Sequence, residues 1–292
     1  MSLAAEFKKS LKTVDSEEIL DLLIFRPISF AFVKLIYSTA ITPNQISIIA
    51  MIFGIFSGVF YAFGSYDFML LGALSLFICN TLDCADGQLA RLKNNGTRIG
   101  RVVDGFIDYI TSISIFIGLG IAMTFITGNP LYAWSLTVAA GISKAVQNLY
   151  FDNFRNMYLQ YAYGKASNIE DEIQEFTEEK ERLASEKGKF IVKLLVNLYL
   201  GYTDFQKRSA HQCKLDVSPD EYKSRNKFII RMWSWIGSTT HAVVLIVFTI
   251  LNRIDIYLIL TVTAGNLAFI ILMLWQKNII GKFSAKPAVN TN

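Results

Sequence analysis

The sequence predicts an all-α integral membrane protein with six transmembrane helices, an N-terminal interfacial helix and a cytoplasmic helical insert. Three observations lead there. Of 292 residues, 52% are hydrophobic and only 18% are charged, against about 25% charged in ordinary soluble domains. Several apolar runs approach the ~20 residues needed to cross a bilayer. The cationic residues fall almost entirely at one side of those runs. A net charge of +4, spread along the chain, lacks the dense basic stripe of a nucleic-acid binder, so no nucleic-acid partner is expected. Cys79, Cys84 and Cys213 do not form a disulfide framework, and no Cys/His cluster suggests zinc.

Residues 1–26 are a polar segment without a signal-peptide apolar core, so nothing there suggests cleavage or export. Within it, Ser16 followed by Glu17 and Glu18 suits the start of a short helix to about Ile24. Residues 27–149 hold an interfacial helix and the first four spans. The run 26–40 is too short to cross comfortably, and Arg26 and Lys34 at its rims suggest a helix lying in the interface. A first span runs from Thr42–Pro43 to about Gly64, since proline is tolerated at a helix start. Gly54 and Gly58 on it form a GxxxG pair that permits close helix packing. After the turn GSYD, a second span runs from Phe68, a third from Gly100 to Phe125, and a fourth, after the turn TGNP, from Leu131 to Leu149.

Residues 150–227 are a polar insert, cytoplasmic or associated with the interface. Ile169, Ile173 and Phe176 give it a short amphipathic pattern, and FIVKLLVNLYLGYTDFQKR, 190–208, reads as an interface-lying or protein-packed helix. Residues 228–276 supply the last two spans, 228–251 and 256–276, around the turn NRID. Residues 277–292 are a tail with Lys277, Lys282 and Lys286. Trp233, Trp235, Tyr257 and Trp275 suit interfacial aromatic belts. His241 suits helix packing, and Asn266 suits an interhelical hydrogen bond or a lipid-pocket lining. Six spans put both termini on one side. Arg253 is the one Lys or Arg in a connection on the opposite side, so the positive-inside rule predicts cytoplasmic termini, insert and motif loop.

The chemistry concentrates in CNTLDCADGQLARLKNNGTRIGRVVDGFIDY, residues 79–109. Asp83 and Asp86 are three positions apart and Asp104 and Asp108 four, so each pair shares a helix face. Each acid alone reads as a solvated or salt-bridged helix end. Four facing one another repel unless cations neutralise them, and an Asp in a membrane helix is a functional hypothesis. All the ligands on offer are hard oxygens, which favours Mg²⁺ or Mn²⁺. Gly87, Ala90 and Gly100 leave room beside the acids for a phosphate, and Arg91, Lys93, Arg98 and Arg101 bring positive charge. The composite points to phosphoryl chemistry, with a divalent-ion transporter as the competing class. Against transport, the acids gather at one side and mark no path across.

Asp83, Asp86, Gly87, Ala90, Arg91, Gly100, Asp104 and Asp108 stand at the spacing DxxDGxxARx8GxxxDxxxD. This is similar to the signature of the CDP-alcohol phosphatidyltransferase family, with every position filled. The resemblance in hydrophobic layout covers roughly residues 27–276; the insert and far N-terminus have no support from it. It implies a six-helix core that commonly dimerises, Mg²⁺ or Mn²⁺, and a CDP-linked donor from which CMP leaves. Asp83, Asp86 and Asp104 then resemble metal ligands, and Asp108 a metal-site acid that also accepts the proton of the attacking hydroxyl. Asp104 and Asp108 are accordingly the catalytic candidates. Gly87, Ala90, Arg91 and Gly100 resemble the nucleotide and pyrophosphate face, with Thr97 a further phosphate-side candidate that also reads as a turn residue.

Two directions of transfer stay open. Either CDP-diacylglycerol gives phosphatidyl to a small polar alcohol or polyol phosphate, or a CDP-linked small alcohol such as CDP-choline or CDP-ethanolamine donates to a diradylglycerol. Lys144 and Asn148, one helical turn apart near the cytoplasmic end of the fourth span, are acceptor-binding candidates, as is Arg231. Snorkelling explains Lys144 equally well, and topology anchoring explains Arg231.

Overall fold

The computed structural model describes residues 3–95, 98–164 and 217–284, with isolated positions between 177 and 200; over 98–106 it describes the backbone alone. Among these residues there is helix and no strand. Five helical segments are long and apolar enough to cross a membrane: Pro43–Ala62, Tyr66–Lys93, Ile107–Thr127, Pro219–Ile250 and Ile254–Phe283. The chain divides into two compact units, Met1–Leu149 with Ser234–Ala268, and Tyr150–Trp233 with Phe269–Asn292.

The first unit begins with α1 (Leu3–Ser10) and a π-helical turn, Asp21–Phe25, that runs into α2 (Arg26–Ile36). The expected helix start at Ser16 is instead a buried turn, with Ser16, Glu17 and Glu18 all enclosed. Arg26 is no rim residue. It is 9% exposed and pairs with Glu17 at 2.8 Å. Val33 of α2 packs with Ile46, Ala85 and Leu89, so α2 lies against the motif helix.

α3 (Pro43–Ala62) opens on a capping box: the Gln45 backbone N–H donates to Thr42 Oγ1 at 3.4 Å, and Thr42 N–H to Gln45 Oε1 at 3.0 Å. Between Ile46 and Tyr61 its buried face is small (Ser47, Ala50, Gly54, Ser57, Gly58), while Ile48, Ile52, Phe56 and Val59 are exposed. This pattern suits a lipid-facing exterior, where apolar bulk costs nothing and small residues let backbones approach. α4 (Tyr66–Lys93) and α5 (Arg98–Thr127) follow. A Cβ added at Gly54 would collide with Thr111, one at Gly58 with the Ser114 backbone, and one at Gly118 with the Gly58 carbonyl. The GxxxG pair thus brings α3 onto α5.

The turns at Gly64, Gly128 and Asn252 have positive φ, 71°, 65° and 55°, as the GSYD, TGNP and NRID readings require. Arg253 there makes two bonds to Asp255, at 2.9 and 3.0 Å.

α6 (Pro130–Tyr163) is longer than the expected fourth span and runs 14 residues into the region read as insert. It is not among the five apolar helices because its polar residues lower its mean hydropathy, and several of those residues point inward. Thr137, Ser143 and Gln147 are buried, and Gln147 donates to the Thr261 carbonyl at 3.3 Å and to Asn266 Oδ1 at 2.9 Å. Its Oε1 meets His241 Nε2 at 2.9 Å, and Asn266 donates to Ser143 at 2.9 Å. His241 and Asn266 do therefore bond between helices. In lipid such bonds average about 0.6 kcal/mol, and leaving the groups unmade would cost several.

α7 (Pro219–Trp233) is followed by a 3₁₀ turn, Ser234–Ile236, and α8 (Ser238–Ile250), so the expected span 228–251 is broken at Gly237. α9 (Ile254–Leu260), a π turn at Thr261–Gly265 and α10 (Asn266–Ser284) complete the described chain. The π turn widens where Gln147 takes the Thr261 carbonyl.

Two aromatic expectations are corrected. Trp233 and Tyr257 are 0% and 2% exposed, core residues of the second and first units respectively; Trp235 and Trp275 are half exposed. The amphipathic run at 169–176, the helix read at 190–208 and Cys213 lie outside the described residues.

Candidate functional site

Asp83 and Asp86 sit one turn apart on α4, Asp83 half-buried and Asp86 6% exposed. Asp86 accepts a hydrogen bond from Ser47 of α3. Asp108 on α5 is exposed. All three lie within electrostatic range of one thiol, Cys79, so α4 and α5 bring them to the same end of the bundle. The backbone of Gly100 and Asp104 is in α5, but their side-chain surroundings, and Thr97 entirely, lie outside the described residues. Among the described residues no three His, Cys, Asp or Glu side chains form a group able to hold a metal ion. The donor set still fits a hard divalent cation in kind, since it offers carboxylate oxygens and no soft competitor beyond a buried thiol.

Gly87 and Ala90 do not leave the α4 face bare. The Arg91 guanidinium folds back over Gly87, where an added Cβ would stand 3.2 Å from Nη2. Arg91 Nε donates to the Ser10 carbonyl, and its Nη2 is buried without a hydrogen-bond partner among the described residues. Gln88, the next inward residue, donates to Ser10 Oγ at 3.3 Å and to the Arg26 carbonyl at 3.2 Å.

Those contacts belong to a network that sequence reading missed. Arg26 donates to Glu17 at 2.8 Å and to the Cys84 carbonyl at 3.3 Å. Glu17 also accepts from the Lys12 backbone N–H at 3.0 Å. Glu18 accepts from Thr239 and Thr240 N–H at 3.1 and 3.4 Å, capping α8. Asp21 accepts from the Thr239 hydroxyl at 2.9 Å. Burial works to raise the Glu17 pKa, yet the Arg26 guanidinium and the Lys12 N–H outweigh it and hold the carboxyl below its ordinary 4.5. At Asp21 burial wins, and the pKa rises above 3.8 despite Arg26 and Thr239.

The acceptor candidates separate. Lys144 turns inward, donating to Ser112 of α5 at 3.0 Å, within electrostatic range of Asp108. It does not snorkel. Asn148 Oδ1 is buried without a hydrogen-bond partner among the described residues. Arg231 is on α7, in the second unit. Ser47 had a legible signal: it shares the small inward face of Ala50, Gly54 and Ser57. Glu17 and Arg26 had none, because charged residues in a polar lead read as solvated.

A helical, lipid-exposed protein with acids, an arginine and an inward lysine at one bundle end has the makings of a membrane phosphotransfer site. Residues 40–166 match the CDP-alcohol phosphatidyltransferase family model. Archaetidylinositol phosphate synthase of Pyrococcus horikoshii is 31% identical over 104 residues, covering 32% of this chain and 52% of that relative. The match thus spans about half the relative's length.

Proposed function

We propose that the chain is a metal-dependent CDP-alcohol phosphotransferase of phospholipid synthesis. In this reading it transfers phosphatidyl from CDP-diacylglycerol to a small polar alcohol or polyol phosphate. The observation that carries the reading is the complete DxxDGxxARx8GxxxDxxxD spacing inside the matched segment, with Asp83, Asp86 and Asp108 at one bundle end. The acceptor oxygen bonds to the phosphorus that carries the diacylglycerol, the bond from that phosphorus to the bridging oxygen breaks, and CMP departs. Asp108 takes the hydroxyl proton, its exposure leaving it open to an acceptor arriving from water. Arg91, with Gly87, Ala90, Gly100 and Thr97, holds the diphosphate. Asp83, Asp86, Asp104 and Asp108 would hold Mg²⁺ or Mn²⁺, which supplies charge neutralisation at the phosphates and lowers the pKa of the attacking hydroxyl.

Lys144 beside Asp108 favours an acceptor that itself carries phosphate, with Asn148 one turn on. The name of the Pyrococcus horikoshii relative, archaetidylinositol phosphate synthase, supports the same choice. Arg231 is retained as an acceptor-side candidate. The six-span arrangement rests on α6, whose Leu131, Trp134, Val138 and Ile142 form an exposed apolar stripe opposite its polar face. Positive-inside bias supports a cytoplasmic site, insert and termini, an interfacial α2 and a homodimer complete the reading, and membrane phospholipid surrounds it.

The test is purified protein in liposomes with CDP-diacylglycerol, CDP-choline or CDP-ethanolamine, a panel of acceptors that includes inositol phosphate and diacylglycerol, and Mg²⁺ or Mn²⁺. CMP and lipid product are expected with CDP-diacylglycerol and a phosphorylated polyol, and chelation should stop both. Turnover in Asp104→Ala should fall about a hundredfold or more. Product from CDP-choline and diacylglycerol instead would reverse the donor assignment. Ion flux without CMP would replace enzyme with transporter.

A further inference from the structure

The family match begins at residue 40, yet the motif helix is bolted to residues far before it. Ser10 receives both Arg91 Nε and Gln88 Nε2, the first on its carbonyl and the second on its hydroxyl. Glu17 fixes the position of Ser10 through the Lys12 N–H, and fixes Arg26, whose carbonyl takes the other bond of Gln88. Glu17 and Arg91 lie within electrostatic range of one another. Ser10, Glu17, Arg26 and Gln88 are all buried, at 0, 6, 9 and 0% exposure. Arg91 is therefore held at Nε, pressed over Gly87, and left with a buried Nη2 that no described residue satisfies. An unsatisfied buried guanidinium donor is costly, and a diphosphate oxygen is the acceptor that a bidentate-capable arginine fits.

We infer that Ser10–Arg26 is a positioning element of the donor site, with Glu17 as its keystone: it orients Arg91 so that Nη2 is reserved for the diphosphate of a cytidine diphosphate donor. The inference rests on the phosphotransferase reading above. Glu17 touches no substrate and acts through Arg91. Its carboxylate sets the turn that presents the Ser10 carbonyl and supplies a counter-charge that lets an arginine stay folded against Gly87. The same segment holds α8 through Glu18 and Asp21, but those contacts do not reach Arg91 and predict no effect on donor affinity.

The experiment is a double-mutant cycle on the full chain in detergent, with cytidine 5′-diphosphate as the binding probe and unfolding without ligand measured in parallel. Glu17→Gln should weaken CDP binding about tenfold, the scale of one charge-assisted bond. In an Arg91→Ala background the same change should add almost nothing, because both act through one group. Glu6→Gln, which removes the exposed 2.6 Å pair with Lys34, should leave CDP affinity within about twofold. If Glu17→Gln does not accumulate as folded protein, Arg26→Lys is read in the same cycle with the same expectation. Losses that add across the cycle, or a lowered unfolding temperature with unchanged CDP affinity, overturn the inference and leave Glu17 purely structural. Wild-type protein that binds no CDP overturns the phosphotransferase reading and takes this inference with it.

Discussion

Asp86 is a carboxylate in a nearly closed environment, and the Ser47 hydroxyl that donates to it comes from another helix. A ligand side chain needs such a partner to keep its orientation, and losing one costs metal affinity or activity on the order of tenfold or more. Ser47→Ala should accordingly raise the Mg²⁺ or Mn²⁺ concentration for half-maximal CMP release about tenfold, with little change in the Michaelis constant for the donor at saturating metal. An unaltered metal requirement would remove Asp86 from the ligand set or Ser47 from its support. The acids drew attention in the sequence because four carboxylates at helical spacing have few bland explanations together, and the structure brings Asp83, Asp86 and Asp108 to one bundle end. Ser47 was legible as part of the small inward face of α3 but not as a partner of Asp86, since a serine in an apolar run serves equally as filler. Arg91 read in the sequence as a candidate phosphate-binding side chain, and its pose was not legible, because folding over Gly87 depends on Ser10, which sequence proximity does not bring near it.

At the scale of elements, α3 and α5 approach closely, backbone against backbone at Gly58 and Gly118. GxxxG showed which face of α3 would pack. It could not show the partner, which is a second small-residue face on α5 made of Thr111, Ser114 and Gly118. Gly118→Ala drives a methyl into the Gly58 carbonyl and should cost roughly 1–3 kcal/mol, the range for overpacking. Gly281→Ala on α10, where an added Cβ meets nothing within 4 Å, should be neutral or slightly stabilising, as alanine is the better helix former. Thermal unfolding in detergent compares the two, and equal effects would mean that α3 and α5 do not pack through these glycines. Apolar runs located five helices well, and turn chemistry located their ends at Gly64, Gly128 and Asn252. α6 carries polar residues for a physical reason: they satisfy one another inside the bundle through Gln147, His241 and Asn266. The same inward satisfaction was invisible for Trp233 and Tyr257, whose type suggested the headgroup layer while their packing put them in cores.

For the first unit as a whole, the turn ends are distributed unequally. Tyr66 donates to the Ile250 carbonyl at 2.9 Å and the Tyr61 hydroxyl meets Thr249 at 2.9 Å, so the Asn252 turn lies beside the Gly64 turn. Gly64 in turn abuts Phe125, which brings the end of α5 to the same pole. Glu18 and Asp21 meet the start of α8 at the other pole, and Asp21 takes a bond from Cys84 of the motif helix there, where the motif acids are. At the turn pole Arg253 is matched by Asp255 in a two-bond pair. If α6 crosses the bilayer, Gly128 and Asn252 face the same compartment. If it does not, Asn252 faces the opposite one, because the candidate span Pro219–Ile250 would then be the single crossing between them. A cysteine placed at position 128 or at position 252, in sealed vesicles of known orientation, should react alike with a membrane-impermeant thiol reagent, both from the side opposite the cytoplasm. A cysteine at exposed Asn95 should react from the cytoplasmic side. Opposite reactivity at 128 and 252 would reduce the protein to five crossings, place its two termini on different sides of the membrane, and leave α6 as a polar strut inside the bundle.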